Sequence, residues 1–354
     1  MQERTKIKDR AEALISWYRR SARELPWRKT RDPYAIWISE VMLQQTRAVT
    51  VIPYWERFLK EAPTVKSLAE LPDDRLMKLW EGLGYYNRAR NLKKCARFLM
   101  EKYDGKLPND YEKLRELPGF GPYIAAAVGA FAFSLPVVPA DGNVFRVFCR
   151  FYGISDDLRS ETTKRKIRAL AVENTAEPAG DYGQALIELG ATVCIPGTPS
   201  CDLCPLAPGC TAKALGSQAD LPFISRARPR RIERRCVVVV SCGGKMLLRK
   251  RPNKGLLAGL YELPSYLGEG SEKKTLLFVK KMGFEALRIR SLPFAKHIFS
   301  HLEWHMDAYR VDVAETALPV GCEGILVTPD ELGRTYALPS AFSAWLDELR
   351  SVSD

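Results

Sequence analysis

Apolar residues recur at intervals of three and four from residue 8 to about residue 192, which is the period of helices that bury one face. Asp32 and Pro33 fit the N-cap and first position of a helix that carries Glu40, and Asp181 fits the N-cap of the helix YGQALIELGATVC. Prolines predict helix ends at Pro33, Pro53, Pro63, Pro72, Pro108, Pro118 and Pro178. The first half of the chain is therefore predicted to be all-α.

The pattern changes after Cys210. The stretch ALGSQADLPFISRARPRRIERR lacks periodicity and is rich in arginine, which indicates a linker. Beyond it, a β-hairpin is predicted by RCVVVV, GG and KMLLRKR, and a strand by the alternation of apolar and polar residues in EWHMDAYRVDV. A helix is predicted for TLLFVKKMGF, and residues 328–331 form a capping box that opens another helix. We predict a multidomain chain: an all-α domain at 1–215, a linker at 216–235 and an α+β domain at 236–354.

Charge adds a partner to this picture. The chain has 354 residues and a formal net charge of +12, which favours a polyanion and above all nucleic acid, although a basic enzyme or a membrane-surface protein shares this property. No apolar run reaches the roughly 18 residues that span a bilayer. The start, MQERTKIKDR, lacks the apolar segment of a signal peptide. We expect a cytoplasmic protein with no membrane partner.

Four cysteines lie within 17 positions after the last predicted helix of the first half: Cys194, Cys201, Cys204 and Cys210. Four thiolates can enclose tetrahedral zinc or an iron–sulfur cluster. Zinc ribbons usually have two close cysteine pairs and this stretch has one, so the spacing favours iron–sulfur without excluding zinc. The other five cysteines are scattered and are interpreted as small core residues.

The segment LPGFGPYIAAAVGAF follows one predicted helix and opens another. Gly119 and Gly121 allow a tight turn, and the amides at the start of the next helix can face a phosphate. This is a helix-hairpin-helix pattern, for which an ordinary connection between helices is the alternative. The basic charge favours phosphate binding.

Several stretches, in order, carry a resemblance: LPWR (25–28), SEVMLQQT (39–46), WEGLGYYNRARNL (80–92), LPGFGPY (117–123), DGNV (141–144), ALIELGATVC (185–194) and the four-cysteine loop. With them the chain resembles the endonuclease III superfamily of helix-hairpin-helix DNA glycosylases, and within it the MutY family of adenine DNA glycosylases. The resemblance covers the chain from near its start to Cys210. It implies a 4Fe-4S cluster on the four cysteines.

Cleavage of an N-glycosidic bond requires protonation of the leaving base and stabilisation of positive charge on the sugar, work that two carboxyl groups can share. Glu40 has apolar helical neighbours and no Lys or Arg three or four positions away, so burial should raise its pKa. By residue type alone, Glu40 fits a solvated helix face and Asp141 a turn. The resemblance implies that Glu40 protonates adenine and that Asp141, with Asn143 orienting it, stabilises the sugar.

Position 123 separates two branches of the superfamily. The bifunctional branch carries a lysine there that attacks the sugar as a Schiff-base nucleophile. This chain carries Tyr123, which cannot form a Schiff base. The resemblance implies that Tyr123 lies close to the reacting sugar and that strand cleavage is not expected.

A base inside a duplex must be flipped out before it can react. The resemblance implies that Gln45 wedges into the base stack beside Gln44 and Thr46 of the same motif, and that Tyr85 lies by the opposite base. Trp27 and Arg28 are implied to line the adenine pocket. The set also includes Gln184, whose role stays open. By residue type alone these are polar helix surface and core aromatics.

Residues 236–354 resemble the MutT-like, or Nudix-like, domain of the same family through RPNKGLLAGLYELP and FSHLEWH. No arginine and paired glutamates fall on one helix to hold magnesium, so we predict a fold retained for binding. The resemblance implies that Phe299, Ser300 and His301 recognise 8-oxoguanine. An ordinary strand end is the alternative.

We therefore expect a monomeric, monofunctional adenine DNA glycosylase. Its partner would be double-stranded DNA containing an A:8-oxoguanine or A:G mispair, in base excision repair. Two rival hypotheses are a bifunctional glycosylase and lyase, which Tyr123 disfavours, and a non-catalytic zinc-bearing DNA-binding module, which Glu40 and Asp141 disfavour.

Overall fold

A computed structural model describes residues 2–226 and 229–350, so Ala227 and Arg228 of the predicted linker lie outside the described residues. The chain forms two compact units, residues 2–70 with 90–226 and residues 71–89 with 229–350. Residues 71–89, which the sequence pattern placed in the helical half, thus belong to the second unit. The domain limits at 215 and 236 stay a prediction. No helix within the described residues is long and apolar enough to cross a membrane.

The helices before the linker confirm the predicted all-α half. They are α1 (Gln2–Ser21), α2 (Pro33–Leu43), α3 (Ala48–Glu61), α4 (Val65–Glu70), α5 (Asp73–Trp80), α6 (Asn87–Lys102), α7 (Tyr111–Glu116), α8 (Pro122–Phe133), α9 (Gly142–Tyr152), α10 (Glu161–Glu173), α11 (Ala179–Thr192) and α12 (Thr211–Leu215). Short 3₁₀ turns lie at Pro26–Arg28, Cys201–Leu203 and Ala207–Gly209.

Two helices at the centre of the first unit are buried on nearly all sides. In α2 every residue from Tyr34 to Met42 is buried, and in α8 the same holds from Ile124 to Phe131. A helix with no solvated face belongs in a core, where any polar side chain must find a partner or stay neutral. A second core joins α1, α9 and α11 through residues such as Leu14, Val144 and Leu186.

Two predictions about helix ends are wrong. Pro53 lies inside α3, because the helix buries Val51 and Phe58 on either side of it and this packing outweighs the lost hydrogen bond. Asp181 is not an N-cap, since α11 begins two residues earlier at Ala179. The small residue Gly180 permits the earlier start, because a Cβ there would lie 2.8 Å from the carbonyl oxygen of Ala130.

The second unit contains a mixed sheet with strand order β3-β2-β1-β6-β5, while β4 pairs with β1 and β7 pairs with β2. Its strands are β1 (Arg231–Cys242), β2 (Lys245–Lys250), β3 (Tyr261–Glu262), β4 (Ser265–Leu267), β5 (Ala286–Ile298), β6 (Leu302–Val313) and β7 (Ile325–Val327). Its later helices are α13 (Glu272–Lys281), α14 (Pro329–Arg334) and α15 (Leu346–Arg350), with a 3₁₀ turn at Ser340–Trp345.

The predicted hairpin, alternation and capping box are all confirmed. Gly243 and Gly244 have φ of +54° and +75° and join antiparallel β1 and β2, as a tight hairpin turn requires. Strand β6 alternates between buried and half-buried positions. Strand β1 is buried from Cys236 to Cys242 because apolar clusters cover both faces of the sheet. Thr328 and Glu331 form the capping box that opens α14.

Candidate active site and cysteine loop

Glu40 is a buried carboxyl group on the core helix α2. Asp32 caps that helix by accepting from the backbone N–H groups of Tyr34 and Ala35 at 3.0 and 3.3 Å. The glutamate is 5% exposed. The expected burial of this side chain is confirmed, and the interpretation as a solvated helix face is wrong.

A single short hydrogen bond connects Glu40 to the start of α8. The hydroxyl of Tyr123 donates to Glu40 Oε2 at 2.5 Å. Burial raises the pKa of Glu40 to about 7, helped by the charge of Asp141 and opposed by the Tyr123 hydrogen bond and the charge of Arg28. The same burial raises the pKa of the Tyr123 hydroxyl well above its usual range, so it stays a donor. Glu40 can therefore both hold and release a proton near neutral pH.

Asp141 is the N-cap of α9. Its Oδ1 accepts from the backbone N–H groups of Asn143 and Val144 at 2.8 and 2.9 Å, and its Oδ2 accepts from Asn143 Nδ2 at 2.9 Å. Its pKa is raised above the usual range, because the effect of burial exceeds the opposing effects of these hydrogen bonds and of the charge of Arg146. The predicted turn residue is thus a helix cap with a fixed orientation, and its charge reaches Glu40.

Arg146 fixes Asn143 and was missed by the sequence reasoning. Its Nη2 donates to Asn143 Oδ1 at 2.7 Å and to the carbonyl of Gly190 at 2.6 Å, and its Nε donates to the carbonyl of Cys194 at 2.7 Å. A Cβ at Gly190 would lie 2.5 Å from Asn143 Cβ, so only glycine allows α11 this close to Asn143. The arginine thus connects the Asp141 site to the first residue of the cysteine loop.

Glu188 is a second buried glutamate that the sequence reasoning missed. It is fully buried, and its carboxylate accepts from Arg23 Nε and Nη2 at 2.8 and 2.7 Å and from Arg28 Nη2 at 2.7 Å. Burial alone would raise its pKa, but the hydrogen bonds from Arg23 and Arg28 outweigh it and lower the pKa to about 2. The available signal was an acidic residue inside the apolar run ALIELG, the same signal that singled out Glu40.

Arg28 is thereby held beside the nominated pocket residues. Its guanidinium lies 5.4 Å from the ring of Tyr18, whose hydroxyl donates to Gln184 Oε1 at 2.7 Å. Trp27 is 5% exposed and meets Trp55 edge to face at 6.0 Å. The structure thus brings Arg28 and Gln184 to the same aromatic side chain, while Trp27 packs in the core.

Two nominated DNA contacts share an unusual backbone. Gln45 follows α2 and has φ of +58°, and Tyr85 in the second unit has φ of +46°. Both are exposed, Tyr85 to 51%. Non-glycine residues in this region are strained and cluster at functional sites. Gln44 and Thr46 flank Gln45 and are partly buried, the amide of Thr46 donating to the carbonyl of Leu43 at 3.2 Å.

The hairpin between α7 and α8 uses its two glycines differently. Gly119 has φ of +84°, and a Cβ there would lie 2.9 Å from Asn91 Cβ, so both conformation and packing require glycine. Gly121 is the N-cap of α8, and a Cβ there would meet nothing within 4 Å. The space in front of the N-terminus of α8 is therefore open.

Phe299, Ser300 and His301 form the tight turn between β5 and β6. The amide of Phe299 donates to the carbonyl of Leu302 at 2.9 Å, and its ring lies 4.9 Å from that of buried Trp304. Ser300 and His301 are exposed, with Ser300 Oγ 3.3 Å from His301 Nδ1. Phe299 thus anchors a turn that presents two polar side chains to solvent.

The four loop cysteines line one common cavity, and among the described residues its lining includes no acidic or histidine side chain. Arg150 Nη1 donates to Cys194 Sγ at 3.4 Å, and Gln218 Nε2 to Cys201 Sγ at 3.7 Å. Backbone amides of Leu206 and Ala212 reach Cys204 and Cys210. All-thiol ligation with N–H donors to the sulfurs is the environment that iron–sulfur clusters occupy.

Within the described residues, no group of three or more cysteine, histidine or acidic side chains is arranged to hold a metal ion. The choice between zinc and an iron–sulfur cluster on the four thiols stays a prediction.

Comparisons with known proteins agree with this fold. A family model described as "HhH-GPD superfamily base excision DNA repair protein" matches residues 38–173, and a NUDIX domain model matches residues 235–348. The human adenine DNA glycosylase is 35% identical over 84% of this chain and 66% of its own length. The adenine DNA glycosylase of Buchnera aphidicola (subspecies Baizongia pistaciae, strain Bp) is 32% identical over 84% of each chain. A thermostable thymine-DNA glycosylase structure superposes with a TM-score of 0.55 at 26% identity, over 61% of this chain and all of its own.

The helical domain, its hairpin and its buried carboxyl group define a base excision DNA glycosylase of the helix-hairpin-helix class, followed by a Nudix-like domain. The predicted fold class is confirmed. The chain belongs to the adenine DNA glycosylase family, whose members are hydrolases of the DNA N-glycosidic bond.

Proposed function

We propose that this chain removes adenine mispaired with 8-oxoguanine or guanine from double-stranded DNA, as a monofunctional glycosylase of base excision repair. The observation that carries the proposal is the dry carboxyl group of Glu40, hydrogen-bonded to Tyr123, with a pKa of about 7. General-acid catalysis is most efficient when the pKa of the acid lies near the working pH. Glu40 can thus donate its proton to a purine nitrogen and later regain a proton at neutral pH.

The second requirement is stabilisation of the positive charge that develops on the deoxyribose. Asp141 supplies a carboxylate whose orientation is fixed by three hydrogen bonds from Asn143 and Val144. A preorganised charge costs little reorganisation when the transition state forms. In this proposal Asp141 stays ionised and faces the sugar, while Asn143, itself held by Arg146, keeps it there.

Adenine is recognised by the polar groups gathered around Tyr18. Arg28 and Gln184 both contact Tyr18, and their side chains are held by Glu188 and by the tyrosine hydroxyl. An amide and a guanidinium in fixed positions can read the edge of a flipped base. Trp27, the sequence neighbour of Arg28, is buried and packs against Trp55.

Duplex binding is assigned to the hairpin and to two strained residues. Gly121 leaves the N-terminus of α8 open for a backbone phosphate, and Gly119 shapes the turn in front of it. Gln45, with Gln44 and Thr46 beside it, enters the stack, and Tyr85 contacts the opposite base. The net charge of +12 supplies the nonspecific attraction to DNA.

Recognition of the base opposite adenine is assigned to the second unit. Ser300 and His301 stand exposed on a turn that Phe299 anchors against Trp304, an arrangement suited to contacts with 8-oxoguanine. Cys194, Cys201, Cys204 and Cys210 are proposed to hold a 4Fe-4S cluster, which would supply a rigid, charged brace for the loop after α11. The monomeric state stays a prediction.

Base release is the direct test. The full chain is incubated with duplexes containing A:8-oxoguanine, A:G or A:T, and released adenine and strand breaks are measured separately before and after alkali. We expect release from the first two duplexes, none from A:T, and breaks only after alkali, because Tyr123 cannot form a Schiff base. Breaks without alkali would establish a lyase, and no release from any mispair would overturn the proposed function.

A further inference from the structure

Residues 71–89 belong to the same compact unit as the sheet, although the glycosylase family model includes them. This segment consists of α5 and the loop that carries Tyr85. It is attached to the residues after β7 through two charged side chains, Lys78 and Glu81, and to β2 through an ion pair between Asp74 and Lys250 at 2.8 Å. Of Lys78 and Glu81, only Glu81 lies in one of the glycosylase motifs, WEGLGYY.

Lys78 binds the end of helix α14. Its Nζ donates to the carbonyl of Leu332 at 3.0 Å, to the carbonyl of Tyr336 at 3.2 Å and to Glu81 Oε2 at 2.6 Å, and its side chain is only 14% exposed. Carbonyl groups in the last turn of a helix lack intrahelical partners and favour a cation. Three acceptors for three ammonium protons make this a specific attachment rather than a loose surface contact.

Glu81 completes the attachment through its other oxygen. Its Oε1 accepts from the backbone N–H of Leu338 at 2.8 Å, while its Oε2 accepts from Lys78. Leu338 is 6% exposed, so its amide needs a partner. One carboxylate therefore joins the lysine to the chain that follows α14.

The loop directly after Glu81 is rigid. Trp80 Nε1 donates to the carbonyl of Gly84 at 3.0 Å, and Arg88 Nη2 donates to the carbonyls of Leu83 and Gly84 at 3.0 and 3.2 Å. The Arg88 guanidinium lies 5.3 Å from the Trp80 ring and 5.6 Å from the Tyr85 ring. These contacts hold the loop after Glu81 in place, and the loop presents Tyr85 to solvent in a left-handed backbone conformation.

We propose that Lys78 and Glu81 are positioning residues that fix the Tyr85 loop to the Nudix-like domain, so that Tyr85 and the Phe299–His301 turn read the opposite base as one body. The inference rests on the proposed function for the identity of that base. It assigns to the glycosylase motif WEGLGYY a role in lesion preference, exerted through the second domain. Loss of the attachment should reduce the preference for 8-oxoguanine while the chemistry at Glu40 continues.

The test compares Glu81→Ala with Glu81→Gln in the full chain. Glutamine keeps an oxygen that can accept from the Leu338 amide, whereas alanine keeps none. Hydrogen exchange at the Leu338 amide reports the contact itself, and the ratio of adenine release from A:8-oxoguanine to that from A:G reports lesion preference. Glu323→Ala is the matched control, since Glu323 is an 87% exposed glutamate of the same unit.

We expect Glu81→Ala to speed exchange at Leu338 and to lower the preference ratio about tenfold, the scale of a typical coupling between sites. Glu81→Gln should retain most of the protection of the Leu338 amide and most of the preference for 8-oxoguanine. Glu323→Ala should leave both unchanged. Tyr85→Ala should lower the preference ratio by itself. Adding Glu81→Ala to Tyr85→Ala should lower the ratio no further, because the two residues act through one element.

Any one of three results would overturn the proposal. Unchanged exchange at Leu338 in Glu81→Ala would show that the contact has no consequence in solution. If exchange at Leu338 became faster but the preference ratio did not change, the contact would serve only the packing of the domain. The same would follow if the losses of preference in Glu81→Ala and Tyr85→Ala were fully additive. Failure of the proposed function looks different, since a wild-type protein that releases no adenine still reports the Leu338 contact through exchange.

Discussion

Two buried glutamates in the first unit have pKa values shifted in opposite directions. Glu40 lies on α2 and is 5% exposed, and Glu188 lies on α11 and is fully buried. The pKa of Glu40 is raised to about 7, whereas that of Glu188 is lowered to about 2. Since burial raises the pKa of both groups, their neighbours make the difference.

Glu188 receives four hydrogen bonds from Arg23 and Arg28, including one from the Arg23 backbone at 3.0 Å. Glu40 receives one from the Tyr123 hydroxyl, which carries no charge. A buried carboxyl group is therefore a structural anchor when guanidinium groups surround it and a proton donor when they do not. The comparison separates the proposed catalytic glutamate from the structural one by their hydrogen-bond partners alone.

The largest expected difference is catalytic. Glu40→Gln keeps the shape of the side chain but has no acidic proton, so we expect adenine release from an A:8-oxoguanine duplex to fall about 10³-fold. Duplex affinity should stay nearly unchanged, because the substitution removes no contact to phosphate. Single-turnover base release and equilibrium DNA binding measure the two effects separately.

The control for this loss is Glu101→Gln, which makes the same change at a glutamate that is 67% exposed on α6. It should release adenine at the wild-type rate. An equal loss in both variants, or an active Glu40→Gln, would remove Glu40 from the proposed mechanism.

Local sequence signals predicted the burial of Glu40 but not that of Glu188. The burial of Glu40, the hairpin glycines and the turn at Gly243 follow from residues within a few positions of each other. The partners of Glu188 lie 160 and 165 residues away, so no local pattern identifies them. Glu188 and Glu40 give the same signal in the sequence, and only tertiary contacts tell them apart.

The same limit applies to Arg146 and to the segment 71–89. Arg146 reads as an ordinary basic helix residue until Gly190 and Cys194, 44 and 48 residues later, bring their carbonyls to it. Lys78 and Glu81 bind backbone groups more than 250 residues away. Long-range contacts to main-chain atoms leave no trace in side-chain periodicity, so the sequence pattern could not predict these contacts of the segment.

The next largest effect is on stability, where Glu188→Gln is expected to lower the free energy of unfolding by about 3 kcal/mol at pH 7, since it leaves Arg28 beside an uncharged partner in a buried site. Urea denaturation measures this loss. The low pKa of Glu188 in the folded state means that its contribution is present above pH about 4.5 and is lost as the pH falls towards 2. The variant should therefore lose less stability than wild type on acidification, and a variant as stable as wild type at pH 7 would contradict the anchoring role.

The smallest effect has the opposite sign and arises at Glu40. Its pKa is raised in the folded state, so folding favours the protonated form, and wild type loses stability as the pH rises from the ordinary pKa of about 4.5 to about 7. Glu40→Gln avoids this loss because it is always neutral, and we expect its stability relative to wild type to increase by about 2 kcal/mol between pH 5.5 and pH 8.5. Urea midpoints at the two pH values measure the change, and the Glu188→Gln difference should stay constant between them because Glu188 is ionised at both. A pH-independent difference for Glu40→Gln would mean that Glu40 titrates normally, and the contrast between the two glutamates would then lose its physical basis.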